Sequence, residues 1–153
     1  MANFDDKVDH AQKLLGQLEE QDLTKLLEYC QAVARAVKWD IPINYPLVGR
    51  DAFRTATGVH AAAIIKAMAK GDAWLADRIY SGVPAGMFGR KQEICVGFMS
   101  GASNVSYYLN ERGIPTDEVL VAEILKAAKA QNHIMTDAEV MSVVERVQRS
   151  RNG

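Results

Sequence analysis

The sequence has few of the side chains that most often build metal centres or nucleic-acid surfaces. Its 153 residues include two cysteines and three histidines, and the formal net charge at neutral pH is −1. Neither cysteine belongs to a Cys-x-x-Cys pattern, and no two histidines stand at the short spacing of zinc ligands. The balanced charge also lacks the clustered basic excess of a nucleic-acid-binding protein. We therefore expect this chain to bind no metal and no nucleic acid.

Long apolar runs are absent as well. The longest run, near Ala61 to Ala69, is interrupted by Lys66 and is too short to cross a bilayer, so we expect no membrane partner. Because no secretory signal is recognisable, we interpret Cys30 and Cys95 as reduced, buried thiols of a cytoplasmic protein. The length corresponds to a single helical region, 1–153, with candidate sub-lobes 1–99 and 100–153.

What the sequence does contain is helical periodicity. Apolar residues recur at i, i+3, i+4 and i+7 in most segments, which predicts a mainly α fold of about seven helices. Pro42 and Pro46 predict an extended connector, and a short run at residues 93–98 is the one candidate β element. Thr116 is a candidate helix cap, and Thr136 with Glu139 forms a capping box before a stripe of valines. The predicted core residues are Leu26, Leu27, Val33, Ile64, Ile65, Ile124 and Val144.

The first predicted helix carries an apolar stripe that needs a cover. Phe4, Val8, Leu15 and Leu18 fall on one face of this helix. An uncovered stripe of this kind predicts self-association or a partner chain.

The most unusual histidine is His60, in the stretch TGVHAAAIIKA. It stands at the predicted start of a strongly apolar helix. The positive end of the helix dipole disfavours a protonated imidazole there, so the ring can act as an acid, a base or a hydrogen-bond donor. Two interpretations remain open: a functional histidine, or a half-buried one that caps its own helix. His10 and His133 are interpreted as surface residues.

Several motifs occur in an order that is typical of one enzyme family. They are DLTKLLEYC, then IPINYPLVG, then GVHAAAIIKA, then VPAGMFGR, then EICVGFMSG. Together they resemble the C-terminal helical subdomains that follow the catalytic barrel in 2-isopropylmalate and homocitrate synthases. The resemblance covers roughly residues 22–144.

The resemblance implies an activity that this chain cannot perform alone. These enzymes carry out a Claisen-type condensation of acetyl-CoA with a 2-oxo acid, in a TIM barrel that holds a divalent metal. A barrel takes about 250 residues, more than this chain has. The implied function is therefore an accessory helical region that works with a TIM-barrel chain or a second copy, as in a homodimer. It binds no cofactor by itself, and acetyl-CoA and the 2-oxo acid meet only in the full assembly. The alternative is a dimerisation or regulatory module without catalysis.

The resemblance also assigns two candidate catalytic residues. The histidine of the family's G-[IV]-H motif, which reaches into a neighbouring subunit's barrel, corresponds to His60. A downstream tyrosine corresponds to Tyr80, with a core or interface tyrosine as the other interpretation. A tight turn at residues 70–72 predicts that the two side chains lie close together. The family's basic G-K-H-S-G loop is GFMSG here, which leaves any contact of residues 97–101 with acyl-CoA in doubt.

Overall fold

The computed structural model describes residues 22–152, with only the backbone of Asn152. By packing, these residues form two units, 22–52 with 85–90 and 53–84 with 91–152. The boundary after residue 99 that the sequence suggested lies inside the second unit. Strand pairing joins the two segments of this unit, which lie on either side of residues 85–90 in the sequence. The first predicted helix, with Phe4, Val8, Leu15 and Leu18, and His10 lie outside the described residues.

The first unit is built around one amphipathic helix. A 3₁₀ turn, Leu23–Lys25, leads into α1, Leu26–Val37, which ends where Lys38 adopts a left-handed φ of 54°. A second 3₁₀ turn spans Ala85–Phe88. The connector at residues 39–52 is irregular, as its prolines predict.

The prediction that α1 contributes to a core is wrong. Val33 is 42% exposed, and Leu26 and Leu27 are only partly buried. A helix buries its apolar stripe against a facing layer, and the described part of this unit contains no second α-helix to supply one. Among the described residues, the stripe of α1 is therefore only partly covered.

The second unit begins with a two-stranded parallel sheet. Strand β1, Arg54–Thr55, pairs with β2, Glu93–Ile94, with Thr55 opposite Ile94. Parallel strands need a crossover connection, which here contains α2, Gly58–Ala69, and α3, Ala73–Ala76. Helix α3 is short, and residues 77–80 continue it as turns.

Three longer helices complete the second unit: α4, Ala102–Glu111; α5, Glu118–Lys129; and α6, Asp137–Asn152. The capping box before α6 is confirmed, because the Glu139 carboxylate accepts from the Thr136 amide at 2.7 Å. The cap of α5 is Asp117 rather than Thr116, since its carboxylate accepts from the amide of Leu120 at 2.9 Å. The described fold is mainly α, as predicted.

Two apolar clusters form the core of the second unit. The larger unites α4, α5 and α6, and the valine stripe of α6 is buried in it. The smaller forms under α2 and α3 around Ala61, Ile64 and Ala67. The predicted core residues Ile64, Ile124 and Val144 are buried, whereas Ile65 is only partly buried.

A buried tyrosine links α4 to the start of α6. The hydroxyl of Tyr108 donates to the carboxylate of Asp137 at 2.5 Å, and the Arg112 guanidinium lies 3.5 Å from the Tyr108 ring centre. Burial raises the pKa of Tyr108, and the Tyr108 hydrogen bond lowers the pKa of Asp137. This contact fixes the relative position of the two helices.

Both cysteines are free thiols, although only Cys95 is buried and Cys30 is partly exposed. None of the helices that the structure describes is long and apolar enough to cross a membrane.

Replacing Ile64 by alanine should lower the free energy of unfolding by about 2–5 kcal/mol, because its side chain is enclosed by the smaller cluster. Val59 belongs to the same helix and is 70% exposed, so Val59→Ala should change the free energy of unfolding by less than about 0.5 kcal/mol. Urea denaturation of both variants measures the difference. Equal losses would mean that α2 does not pack as described.

The ion pair of Asp117 and Arg151 should make the free energy of unfolding depend on pH in the acid range. Two hydrogen bonds from Arg151, at 2.7 and 2.9 Å, lower the pKa of Asp117 from 3.8 to about 2. The stabilisation is therefore fully present above about pH 4 and is lost as the pH falls towards 2.

Asp117→Asn tests this, because asparagine still caps α5 but carries no charge. The variant should be less stable than the wild type at pH 6, and the two should converge near pH 2. An unchanged difference between pH 6 and pH 2 would contradict the prediction.

Candidate functional site

The candidate site lies at the start of α2, where hydrogen bonds hold the incoming backbone. The amide of Cys95 donates to the carbonyl of Thr55 at 2.8 Å, which extends the strand pairing. The amide of Gly58, the first residue of α2, donates to the carbonyl of Met99 at 3.0 Å. The position at which the helix begins is therefore set by a segment some forty residues further along the chain.

Two buried polar side chains bind the carbonyl of Ala56, which lies between Thr55 and Gly58 in the sequence. The Ser100 hydroxyl donates to the carbonyl of Ala56 at 2.7 Å and accepts from the amide of Gly97 at 2.9 Å. The Asn104 side-chain amide donates to the carbonyl of Cys95 at 2.9 Å and to that of Ala56 at 3.3 Å. Buried polar groups must be hydrogen-bonded, and both side chains meet this condition within the site.

The starts of α2 and α4 approach each other at two glycines. A Cβ on Gly58 would lie 2.9 Å from the amide nitrogen of Gly101, closer than real Cβ atoms come. This contact explains why a glycine stands at the first position of α2. It also leaves no room for an anion at this point, and the amide of Gly101 donates to the Asn104 side chain at 3.1 Å. The geometry of Ser100-Gly101 therefore favours an ordinary helix start over an anion site.

The structure brings the two predicted site residues together. The ring centres of His60 and Tyr80 lie 4.1 Å apart with the planes inclined by 23°, which is a stacked pair. The turn between α2 and α3 makes this possible, because Gly71 adopts a left-handed φ of 73° and Asp72 caps α3 through the amide of Leu75. The predicted proximity is observed.

Both rings are accessible. Tyr80 is 49% exposed and His60 is also exposed. Within residues 22–152, neither the His60 ring nor the Tyr80 hydroxyl takes part in a hydrogen bond or an ion pair. Their polar atoms are thus available to a molecule outside this part of the chain. An imidazole can accept or donate a proton and a phenol can donate one, so the pair can carry out acid–base chemistry.

Apolar and aromatic side chains are exposed on the same two helices. Val59 is 70% exposed and Trp74 is 65% exposed. The guanidinium of Arg78 lies 4.7 Å from the centre of the Trp74 ring, at cation–π distance. Exposed tryptophan of this kind is more typical of a contact surface than of a solvated one.

Comparison with curated proteins agrees with the order of motifs. The homocitrate synthase of Pyrococcus horikoshii is 32% identical over 125 residues, which is 82% of this chain and 32% of that protein. The (R)-citramalate synthase of Aquifex aeolicus is 32% identical over 100 residues, 65% of this chain and 17% of that protein. A protein named as a probable 2-isopropylmalate synthase of Ignicoccus hospitalis is 29% identical over 132 residues, 84% of this chain and 31% of that protein.

The chain belongs to the homocitrate and 2-isopropylmalate synthase family. It spans about a third or less of the length of these relatives. No protein-family model matches it.

The described residues of this family member do not fit a divalent metal. Among residues 22–152, no three His, Cys, Asp or Glu side chains lie together as a ligand set. The nearest approach is the pair of His133 and Glu139, 3.0 Å apart, which serves the capping box of α6. His133 is thus explained structurally.

Sequence reasoning missed the part played by Asn104 at this family member's site. A signal was available, because Asn104 stands next to Val105 on the face of α4 that is buried. An unpaired side-chain amide at such a position costs free energy of folding. A polar residue at such a position indicates a specific buried partner. Gly101 is a local partner, but the two carbonyls that the side chain binds lie 9 and 48 residues away, which no local pattern reveals.

Replacing Gly58 by alanine should lower the free energy of unfolding by about 1–3 kcal/mol, because the new methyl group meets the backbone of Gly101. Gly82 provides the control, since a Cβ there has nothing within 4 Å. Thermal denaturation of Gly58→Ala and Gly82→Ala compares the two. A Gly58→Ala protein as stable as the wild type would disprove the close approach.

Proposed function

We propose that this chain is the accessory helical region of an acyltransferase of this family, and that it supplies His60 and Tyr80 to an active site formed with a TIM-barrel chain. The reaction is the condensation of acetyl-CoA with a 2-oxo acid. The observation that carries the proposal is the stacked pair itself: two titratable rings, 4.1 Å apart, accessible and without hydrogen-bond partners among the described residues.

The condensation has two steps that such a pair can serve. A proton must leave the methyl carbon of acetyl-CoA, and the oxygen of the 2-oxo carbonyl must receive one as the new carbon–carbon bond forms. The imidazole of His60 can accept or deliver a proton, and the Tyr80 hydroxyl can donate a hydrogen bond to the developing oxyanion. The divalent metal of such synthases would belong to the barrel chain, where it would polarise the 2-oxo acid.

The proposal requires a second surface to enclose the substrate. Acid–base catalysis on an acyl-CoA needs a site that excludes water, whereas His60 and Tyr80 lie exposed. The first unit holds an open pocket of about 560 Å³, but neither ring lines it. Its lining residues are Leu27, Gln31, Ile41, Ile43, Val48, Gly49, Arg50 and Arg90. The enclosing wall would therefore come from the barrel chain.

The identity of the 2-oxo acid is left open by the relatives. Their names include homocitrate, citramalate and 2-isopropylmalate synthases, which differ in the product. A panel of 2-oxo acids of different side chain is therefore the appropriate set of substrates.

The test is turnover in a reconstituted assembly. The chain is combined with a family barrel that lacks the corresponding third. With acetyl-CoA and each 2-oxo acid, the assay follows the CoA thiol that is released when water hydrolyses the thioester of the condensed product. Activity should require both components. His60→Ala should lower kcat by roughly 10²–10⁴-fold, the usual contribution of a proton-transfer group. Tyr80→Phe keeps the stacked ring and should lower kcat by a smaller factor.

The matched control is His133→Ala, because His133 is the other histidine among the described residues and lies at the start of α6. It should leave turnover unchanged. If His60→Ala behaves like His133→Ala in an active assembly, the catalytic role is refuted.

A second candidate function is a helical dimerisation or regulatory module without catalysis. The apolar stripe of α1 favours it, because Val37 is 63% exposed and Val33 is 42% exposed. On this alternative, sedimentation should show self-association that Val37→Glu disrupts, and no barrel should gain activity from the chain. Activity that depends on His60 would exclude it.

A further inference from the structure

One buried side chain of the second unit stands apart from its neighbours in chemistry. Eight of the described residues have the largest fully enclosed side chains, and seven of them are aliphatic. The eighth is Asn104, whose exposure is 0%. Enclosing an amide costs free energy unless each of its polar atoms is paired, so a buried asparagine marks a position where specific hydrogen bonds are needed.

One of the three hydrogen bonds of Asn104 reaches the backbone that enters α2, and the other two hold the segment after β2 and the start of α4. Its Nδ2 group donates to the carbonyl of Cys95 at 2.9 Å and to that of Ala56 at 3.3 Å. Its Oδ1 atom accepts from the amide of Gly101 at 3.1 Å. Gly101 in turn lies against Gly58, where α2 begins. The asparagine therefore joins β2, the start of α4 and the backbone that enters α2.

We propose that Asn104 is the positioning residue of the His60–Tyr80 pair. Ala56 precedes His60 by one helical turn, so the point at which its carbonyl is held fixes where α2 starts and in which direction the imidazole leaves the helix. Tyr80 is held independently, through the turn at Gly71 and the cap at Asp72. The stack between the rings depends on both anchors. This inference rests on the proposed function of the pair.

Asn104 suits this task better than the other group that binds the same carbonyl. Ser100 also donates to the carbonyl of Ala56, but it lies in the loop before α4. Asn104 belongs to α4 itself, and its neighbour Val105 is fully buried in the larger cluster. A site carried by a packed helix is held more accurately than one carried by a loop.

The test is a spectroscopic measurement on the full chain that needs no turnover. Stacking over the Tyr80 ring displaces the NMR signals of the His60 ring protons, and Tyr80→Leu removes that displacement and so provides the reference. Asn104→Ala and Asn104→Ser should reduce the displacement by about half or more.

Val105→Ala is the matched control. Val105 is the next residue of α4 and is equally buried, so this variant also loses stability, but its side chain belongs to the larger cluster and not to the cluster under α2. The His60 signals of Val105→Ala should match those of the wild type. If Val105→Ala changes the His60 ring-proton signals as much as the Asn104 variants do, Asn104 acts only through general stability, and the proposal is overturned.

Two further outcomes decide the matter. Folded Asn104 variants with wild-type His60 signals would also overturn it, and so would a failure of both Asn104 variants to fold while Val105→Ala folds.

In the active assembly, Asn104→Ser should lower kcat by roughly 10-fold to 10²-fold with KM unchanged, the effect of a misplaced proton-transfer group. If His60→Ala leaves turnover unchanged, the proposed function fails while the ring displacement still reports on positioning.

Discussion

The hydrogen bonds around the carbonyl of Ala56 are the constraint on which the rest of the second unit's site depends. The segment between β1 and α2 cannot shift without breaking contacts to Cys95, Met99 and the two buried side chains Ser100 and Asn104. In a low-dielectric interior such bonds are strong and their loss is costly. An apolar helix like α2 could slide along its contacts, because burial is not directional. The polar clamp removes that freedom, so the exposed His60 ring meets Tyr80 in one geometry.

The two units differ in how complete their packing is. The second unit encloses two apolar clusters of its own, whereas α1 in the first unit leaves an amphipathic stripe on the surface. The exposed part of this stripe and the exposed pair of His60 and Tyr80 both indicate a neighbouring surface. The relatives, which are about three times as long, contain further chain that could provide it. This agreement supports the proposed accessory role.

Local signals were read well from the sequence because their physics is local. Gly71 ends α2, Asp72 caps α3 and the box of Thr136 with Glu139 opens α6, each within four residues. Apart from the cap of α5, which lies one residue later than predicted, errors arose where a distant partner decided the outcome. The stripe of α1 has the period of a core helix, but residues 22–52 and 85–90 contain no second α-helix that faces it. Ile64 and Ile65 look equivalent in the sequence, and the direction from which β2 and α3 approach decides that Ile64 is the buried one.

For the site, the sequence by itself determined the candidates: the order of motifs marks His60 and Tyr80, and a tight turn between two helices brings them near. It could not determine that the rings stack at 4.1 Å, that both are accessible, or that Asn104 anchors the helix from 48 residues away. Periodicity and caps report interactions within a few residues, because they arise from the geometry of one helix. Hydrogen bonds between distant segments exist only once the chain has folded, so the tertiary structure alone decided how the site is held.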